Sequence, residues 1–502
     1  MKHTFYTSVL ISILTACTVH APQQYEQSGA APELFPDYRD ITVPSNIAPL
    51  NFKITSPGER FITVFTCGDY SVTLKGMKTD MPSRKWDRLK SCGNTIKVEV
   101  FARKSGKWSS HSPFSITLAE PIDRYISYRI IPPGYQSYQQ LTLNQRDLTS
   151  FKEKIILCNS LVQSANTTGS CINCHHYRNY RTDNMQFHVR EGKAGTILVL
   201  DGEIHKINLK TDSTRSAGVY PAWHPTHDYI AYSNNQTRQA FFLYGNNRIQ
   251  GFDTFSDLVL YDIKSNTVSI IENAPDEFEC YPTWSPDGRT LFYVSAHIIL
   301  KTDSDGRPTD ILDHLQDFHY DLYMKPFDPE TGTWGTSRKI IDAQASNTSI
   351  TLPRVSPDGK YLMFAMGSHG VLHLYNKDAD LYLMNLTNGK VRNLHEINSD
   401  EAESYHSWSS NGKWLIFSTR RDNGVVTRPY IAYMNDDGTF TKPFALPQKD
   451  PDYSIKFMNA FNVPEFMIEP VRINQHKFAR YINRHSSEPV GFRAKKENPS
   501  LR

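Results

Sequence analysis

The sequence predicts an all-β chain of two unlike parts: a small N-terminal β-sandwich-like domain, then a β-propeller of five or six blades. Three observations carry this. Short runs of alternating apolar and polar residues recur along most of the chain. Asp-Gly and Asn-Gly pairs punctuate those runs where hairpins need positive backbone dihedrals. One hairpin theme returns four times in the second half, at the spacing of a repeated structural unit.

Taken from the start, the chain opens "MKHTFYTSVLISILTACTVHAPQQ". A polar head (Lys2, His3) precedes an apolar run from Val9 to Leu14, too short to span a bilayer and typical of a secretory signal. Leu14-Thr15-Ala16-Cys17 resembles a bacterial lipobox, which implies a signal peptide over 1–16 and a lipid on Cys17. Several acyl chains on one residue hold a protein stably on a membrane. No later segment approaches about 18 uninterrupted apolar residues, the length a spanning helix needs. The expectation is a lipid-anchored protein of the cell envelope, on the outer membrane with a periplasmic or surface face. Residues 17–36, rich in Gln, Pro, Ala, Gly and Ser, read as a flexible tether.

Residues 37–135 contain "FKITSPGERFITVFTCGDYSVTL", "IKVEVFARKSGKW" and "FSITLAEPIDRYISYRII", alternating strands consistent with a small antiparallel sandwich. Cys67 and Cys92 both fall there and form the candidate disulfide that an oxidising compartment permits. Cys158 and Cys280 read as free buried thiols. From 136 to 184 the composition shifts to Gln, Asn, Thr and Tyr, which suggests a linker segment.

Residues 185–470 carry the repeats "YPAWHPTHDYIAYS", "YPTWSPDGRTLFYVS", "LPRVSPDGKYLMFAM" and "YHSWSSNGKWLIFST". Between them lie second hairpins such as "DLVLYDIKSNTVSII" and "DLYLMNLTNGKVRNL". Two hairpins make the four strands of one blade, and a lone four-stranded sheet cannot bury both faces, so blades must pack around an axis. The W-S-P-D-G-x-x-L motif with its "DLY" hairpin resembles TolB-type, WD40-like propeller repeats. Its Trp and Asp residues read as core and turn structure. The C-terminal 471–502, ending "RAKKENPSLR", reads as a basic solvated tail.

A net charge of +3 and the lack of a Lys/Arg block interleaved with aromatics give no sign of nucleic-acid binding. No G-x-S-x-G or H-E-x-x-H occurs, so the sequence offers no catalytic pattern.

The motif that carries chemistry is Cys171-Ile172-Asn173-Cys174-His175. A c-type haem needs two thiols for two vinyl groups and an imidazole reaching iron from the same side, and C-x-x-C-H supplies them on one turn of chain. His175 would then be the proximal ligand. His188 or Met185 would take the sixth position. On a strand, Met185 shares the core-packing face with Phe187, which favours His188. Zinc held by Cys171, Cys174, His175 or His176, and His188 is a second possibility, although no second C-x-x-C is present. A redox disulfide between Cys171 and Cys174, without the βαβ pattern that usually surrounds one, or no cofactor at all, is a third.

"SCINCHHYRNYRTDNMQFHVREGKAGT" also resembles the central segment of exported propeller lipoproteins labelled cytochrome c-like or TolB-like. It departs from them at Tyr177 and at "KAGT". That resemblance implies one covalent haem beside the propeller, electron transfer or haem-based sensing, and a redox partner in the envelope. The alternative is a non-enzymatic scaffold that binds envelope proteins or glycans.

The anchor gives a first prediction. Cys17→Ser should release the protein from the membrane fraction or leave its signal uncleaved, which fractionation and intact-mass measurement detect. Unchanged fractionation and processing would remove the lipid anchor.

Overall fold

The computed structural model describes residues 19–133, 140–162, 171–214, 216–243, 249–304 and 307–496. The segment 1–16 and Cys17 lie outside the described residues. Strands take 48% of the described residues and helices 8%, so the class is all-β.

Thr95–Lys104 is the spine of the N-terminal sheet. It pairs along one edge with Arg60–Cys67. Along the other it pairs first with Phe114–Ala119 and then with Lys107–Ser110. Tyr70–Lys75, Ile41–Pro44 and Glu26–Gln27 complete seven strands. Arg60–Cys67 buries every second residue, as a strand with one face on a core must. Against that face pack a two-stranded ribbon, Leu34–Phe35 with Lys53–Ile54, and the helix Ser83–Lys90. The helix buries Trp86 and Leu89, which its turn sets on one side. Cys67 and Cys92 are neighbours but remain separate thiols: Cys92 Sγ donates to the Arg88 carbonyl at 3.1 Å.

Six blades follow, and the inner strands contact one another in a closed ring. Their inner strands are Ala460–Met467 (blade 1), Cys171–Arg178 (blade 2), Val219–Trp223 (blade 3), Glu277–Trp284 (blade 4), Ser349–Val355 (blade 5) and Glu403–Trp408 (blade 6). The expected boundary at 185 falls inside the second strand of blade 2, Arg181–Arg190. The propeller instead begins at Tyr125, because the ring closes through blade 1. There Ala460–Met467, from the far end of the chain, pairs antiparallel with Tyr125–Ile131. Thr142–Asp147 and Glu153–Cys158 finish that blade and Cys171–Arg178 opens the next, so most of the described part of the segment expected as a linker is sheet. Blade 1 carries no W-S-P-D-G turn because its first two strands are joined by pairing, not by a hairpin.

The repeated turn is built by side chains. In blade 4, Ser285 Oγ donates to Asp287 Oδ1 at 2.5 Å, and Gly288 at φ 70° brings the chain back. Gly359 and Gly412 repeat this at φ 71° and 68°. Only the glycine takes a positive dihedral; Asp287, Asp358 and Asn411 serve as acceptors within the turn. In blade 3, His224 replaces the serine: its Nδ1 accepts from Thr226 N and His227 N, which leaves Nε2–H to donate to the Gly288 carbonyl at 2.9 Å.

The expected solvated tail is a strap. Helix Gln475–Arg484 is capped by Asn474, which accepts from Lys477 N at 2.9 Å, and it buries Phe478, Ala479 and Ile482 against blades 1 and 2. Phe478 meets Phe187 edge-on at 5.2 Å. The buried Lys206 ammonium closes the other helix end, donating to the carbonyls of Ile482 and His485 at 3.2 and 3.1 Å. Beyond it, Glu488–Pro489 and Gly491–Phe492 add parallel edge strands to blades 2 and 3.

One hydrophobic core runs from the N-terminal sheet into blades 1 and 6, through residues such as Phe65, Ile126, Trp414 and Phe461. Tyr38 donates to the Ala445 carbonyl at 3.1 Å and Trp414 Nε1 to the Glu120 carbonyl at 3.0 Å. The two parts are therefore docked, not strung on a hinge.

Truncation separates closure from strapping. A chain ending at 459 loses the inner strand of blade 1 and should show no cooperative thermal transition by near-ultraviolet circular dichroism. A chain ending at 486 keeps the ring and should melt cooperatively at a lower temperature. Equal behaviour of the two would contradict closure through Ala460–Met467.

Candidate functional site at the propeller axis

Each inner strand makes one left-handed step, at Cys174, Tyr220, Tyr281, Leu352, Tyr405 and Val463, with φ of 53°, 48°, 53°, 55°, 28° and 52°. The next residue is Pro or His in all six: His175, Pro221, Pro282, Pro353, His406 and Pro464. At each step the pairing register shifts, the signature of a β-bulge. For L-residues, and for β-branched Val463 above all, this dihedral is costly and persists only where packing on both sides enforces it. The six residues together line a cavity of about 90 Å3 on the axis.

C-x-x-C-H therefore lies on the inner strand of blade 2, and its Cys174-His175 pair is that blade's copy of the step. Tyr405-His406 is the same step in blade 6. The strand separates the motif's groups. Successive residues rise about 3.3 Å, which puts the Cα atoms of Cys171 and Cys174 roughly 10 Å apart, beyond disulfide reach. Cys171 Sγ sits at the entrance, 3.3 Å from Arg129 Nη2. Burial pushes the Cys174 thiol above its usual range.

His175 faces blade 1, with its ring 6.2 Å from that of Tyr177. Both ring nitrogens are buried without a hydrogen-bond partner of normal geometry. Burial, together with the Arg129 and Arg354 charges, lowers its pKa to about 3. His188 points from the opposite face of the same sheet. Its Nδ1 lies 3.3 Å from Thr196 Oγ1, beside Gln186, which reaches Tyr232 of blade 3. Met185 is fully buried with Phe187 between blades 1 and 2.

Haem c does not fit these residues. The two thiols do not converge, His175 and His188 lie on opposite faces of one sheet, and about 90 Å3 is well below the roughly 300 Å3 where ligand pockets begin. Among the described residues no group of three or more His, Cys, Asp or Glu is placed to hold a metal ion, so the zinc set is not assembled either.

What the axis does present is an entrance of about 320 Å3 where the inner strands begin. Arg129, Arg190 and Arg238 line it, with Cys171, Asn173 and Asn462, and none of its described lining residues is Asp or Glu. Asn173 turns its amide oxygen to Arg190, accepting from Nε and Nη2 at 3.1 and 3.3 Å. Arg129 Nε and Asn462 Oδ1 are buried without a hydrogen-bond partner, on residues that face each other across the paired strands of blade 1.

The extended hairpin of blade 3, Tyr229–Phe241 with Ile249–Asp262, arches over this entrance and supplies Thr237, Arg238 and Gln239. It seats on blades 4 and 5. Gln250 Nε2 donates to the Leu315 carbonyl at 2.9 Å, and Gly251 lies so close to Leu372 that a Cβ there would sit 2.2 Å from its Cδ1.

At the far end of the axis an ion pair lies in the lining of a second opening, of about 390 Å3. Arg354 reaches across from blade 5 to bind Glu465 of blade 1 at 2.7 Å and His176 Nε2 of blade 2 at 2.7 Å. Ser407 of blade 6 donates to Glu465 Oε2 at 3.1 Å. Burial raises the Glu465 pKa against the lowering effect of Arg354.

Sequence reasoning located the motif but missed Arg129, Arg190, Arg354 and Glu465. A signal for the ring was present: "YP", "YP", "LP" and "YH" of the repeats align with "CH" at 174–175 and "VP" at 463–464.

No family model and no curated protein sequence matches the chain. Among solved structures, a GH74 enzyme of Niastella koreensis aligns at 13% identity and TM-score 0.38, over 63% of this chain and 45% of that one. Prolyl oligopeptidase B of Galerina marginata aligns at 9% and 0.36, over 70% and 42%. An oligogalacturonate lyase in complex with manganese aligns at 13% and 0.31, over 81% and 99%. The chain thus spans less than half the length of the first two, and similarity this distant says nothing of activity.

Buried histidines make stability pH-dependent. The pKa values of His175, His188 and His406 fall to about 3 through burial, against an ordinary value of 6.5. Between those values the unfolded chain binds protons that the folded chain does not, so stability is lost as pH falls from 6.5 towards 3. His188→Gln should reduce the slope of unfolding free energy by about 1.4 kcal/mol per pH unit in that window. Urea titrations at several pH values measure it, and an unaltered slope would place a charged His188 in the fold.

Proposed function

We propose that this protein is an envelope-tethered, non-enzymatic binding module that captures a small molecule bearing a carboxylate or phosphate at the arginine-lined entrance of its propeller. The carrying observation is the entrance itself, whose described lining holds three arginines and no carboxylate. A guanidinium fork matches planar and tetrahedral oxyanions, and charge-assisted bonds of this kind exceed neutral ones about twofold in strength. Arg190, oriented by Asn173, supplies a second fork at the rim. The lipobox-like Leu14–Cys17 supports a place at the membrane surface of the envelope. No described helix is long and apolar enough to cross a membrane.

Inorganic phosphate and acetate serve as probes. Both should raise the melting temperature of the protein in a saturable way, as any ligand that binds only the folded state does. Arg129→Gln should weaken the response about tenfold or more, the expectation for one charge-assisted bond. Arg289→Gln, on an exposed turn of blade 4, should leave it unchanged. Equal responses of Arg129→Gln and the unaltered protein would overturn the assignment.

A further inference from the structure

Beside the arginine entrance the same hairpin bears a second cavity, of about 560 Å3, floored by buried Phe252 and Leu315. Its walls are apolar and open to solvent: Phe241 is 69% exposed and Leu312 61%. Phe242, which also lines the cavity, and the adjoining Leu243, at 42% and 84% exposed, extend the apolar surface. Isolated surface apolars need no explanation, but a contiguous set on a groove marks a binding surface. Arg238 and Gln239 line both cavities, so the groove continues directly from the charged entrance. Across the hairpin, Arg238 and Phe252 are directly opposite partners, which sets the arginine and the floor of the groove on one face of the ribbon.

We infer that the ligand is a free single-chain amphiphile, its anionic head on Arg129 and Arg190 and its alkyl tail along the Phe252–Leu315 groove. This rests on the anion-binding assignment above and adds the tail. Charge complementarity selects the head. The apolar groove that opens from the entrance selects a hydrocarbon chain over a second polar group, because burying alkyl surface there releases water from both partners. The hairpin ties the two halves together, since one pair of strands contributes Arg238 to the first and Phe241 and Phe252 to the second.

Calorimetric titration with laurate and acetate, laurate kept below its micellar concentration, tests this. Laurate should bind at least tenfold tighter than acetate, a fraction of what burying its alkyl chain supplies. Leu312→Glu and Phe241→Ser, both at exposed positions, should bring laurate close to the acetate affinity while leaving acetate unchanged. Arg129→Gln should weaken both ligands. Equal affinities for laurate and acetate would overturn the amphiphile and leave the anion site standing. Binding of neither would remove both assignments. Co-sedimentation with phosphatidylglycerol vesicles that is lost in Leu312→Glu, with no laurate binding, would assign the groove to a membrane surface and overturn the inference.

Discussion

Antiparallel pairing of Ala460–Met467 with Tyr125–Ile131 joins the two ends of the ring, and every axial feature depends on it. That strand brings Val463 into the ring of left-handed steps and Glu465 within 2.7 Å of Arg354. Its partner strand carries Arg129. Removing the partner of a buried ion costs about 3–5 kcal/mol, so Arg354, by pairing the buried Glu465, holds the closing blade against its neighbours. At the other end the arginines face a cavity with no acid in its described lining. Closure thus creates an asymmetry of charge between an end where Arg354 is paired with Glu465 and an entrance of arginines without carboxylates.

The same five residues, C-x-x-C-H, mean different chemistry on different backbones. On a helical turn the thiols and imidazole converge. On an inner propeller strand they disperse: Cys171 to the entrance, Cys174 to the axial ring, His175 towards blade 1. The left-handed dihedral at Cys174 answers to a position that all six blades share, so the residue pair there obeys the ring before any cofactor. His406 shows the same outcome without a cysteine. It is buried, with a pKa lowered to about 3 and Nε2 3.3 Å from the Met363 carbonyl.

Legibility followed locality. Period-two alternation and the S-P-D-G turns are local, and they announced strands, hairpins and a propeller. Met185 and Phe187 were placed correctly on a buried face by alternation alone. Blade 1 was not legible, because its halves lie over 300 residues apart and no turn chemistry joins them. The strap was hidden by its basic composition: Lys477, Arg480 and Arg484 occupy the solvent side of a helix whose Phe478 and Ile482 are fully buried. The entrance was hidden for a related reason. Arg129, Arg190 and Arg238 come from three blades and share no spacing, so only the ring brings them together.

Mass spectrometry of the exported protein, made in cells with the c-type haem attachment machinery, tests the account most directly. It predicts an intact mass without a haem adduct, and two thiols of unequal reactivity. Cys171 should label readily and be shielded when the entrance is filled, and Cys174, in the axial ring, should label slowly. A covalent haem on Cys171 and Cys174 would contradict it, because the inner strand of blade 2 would then have to leave the ring.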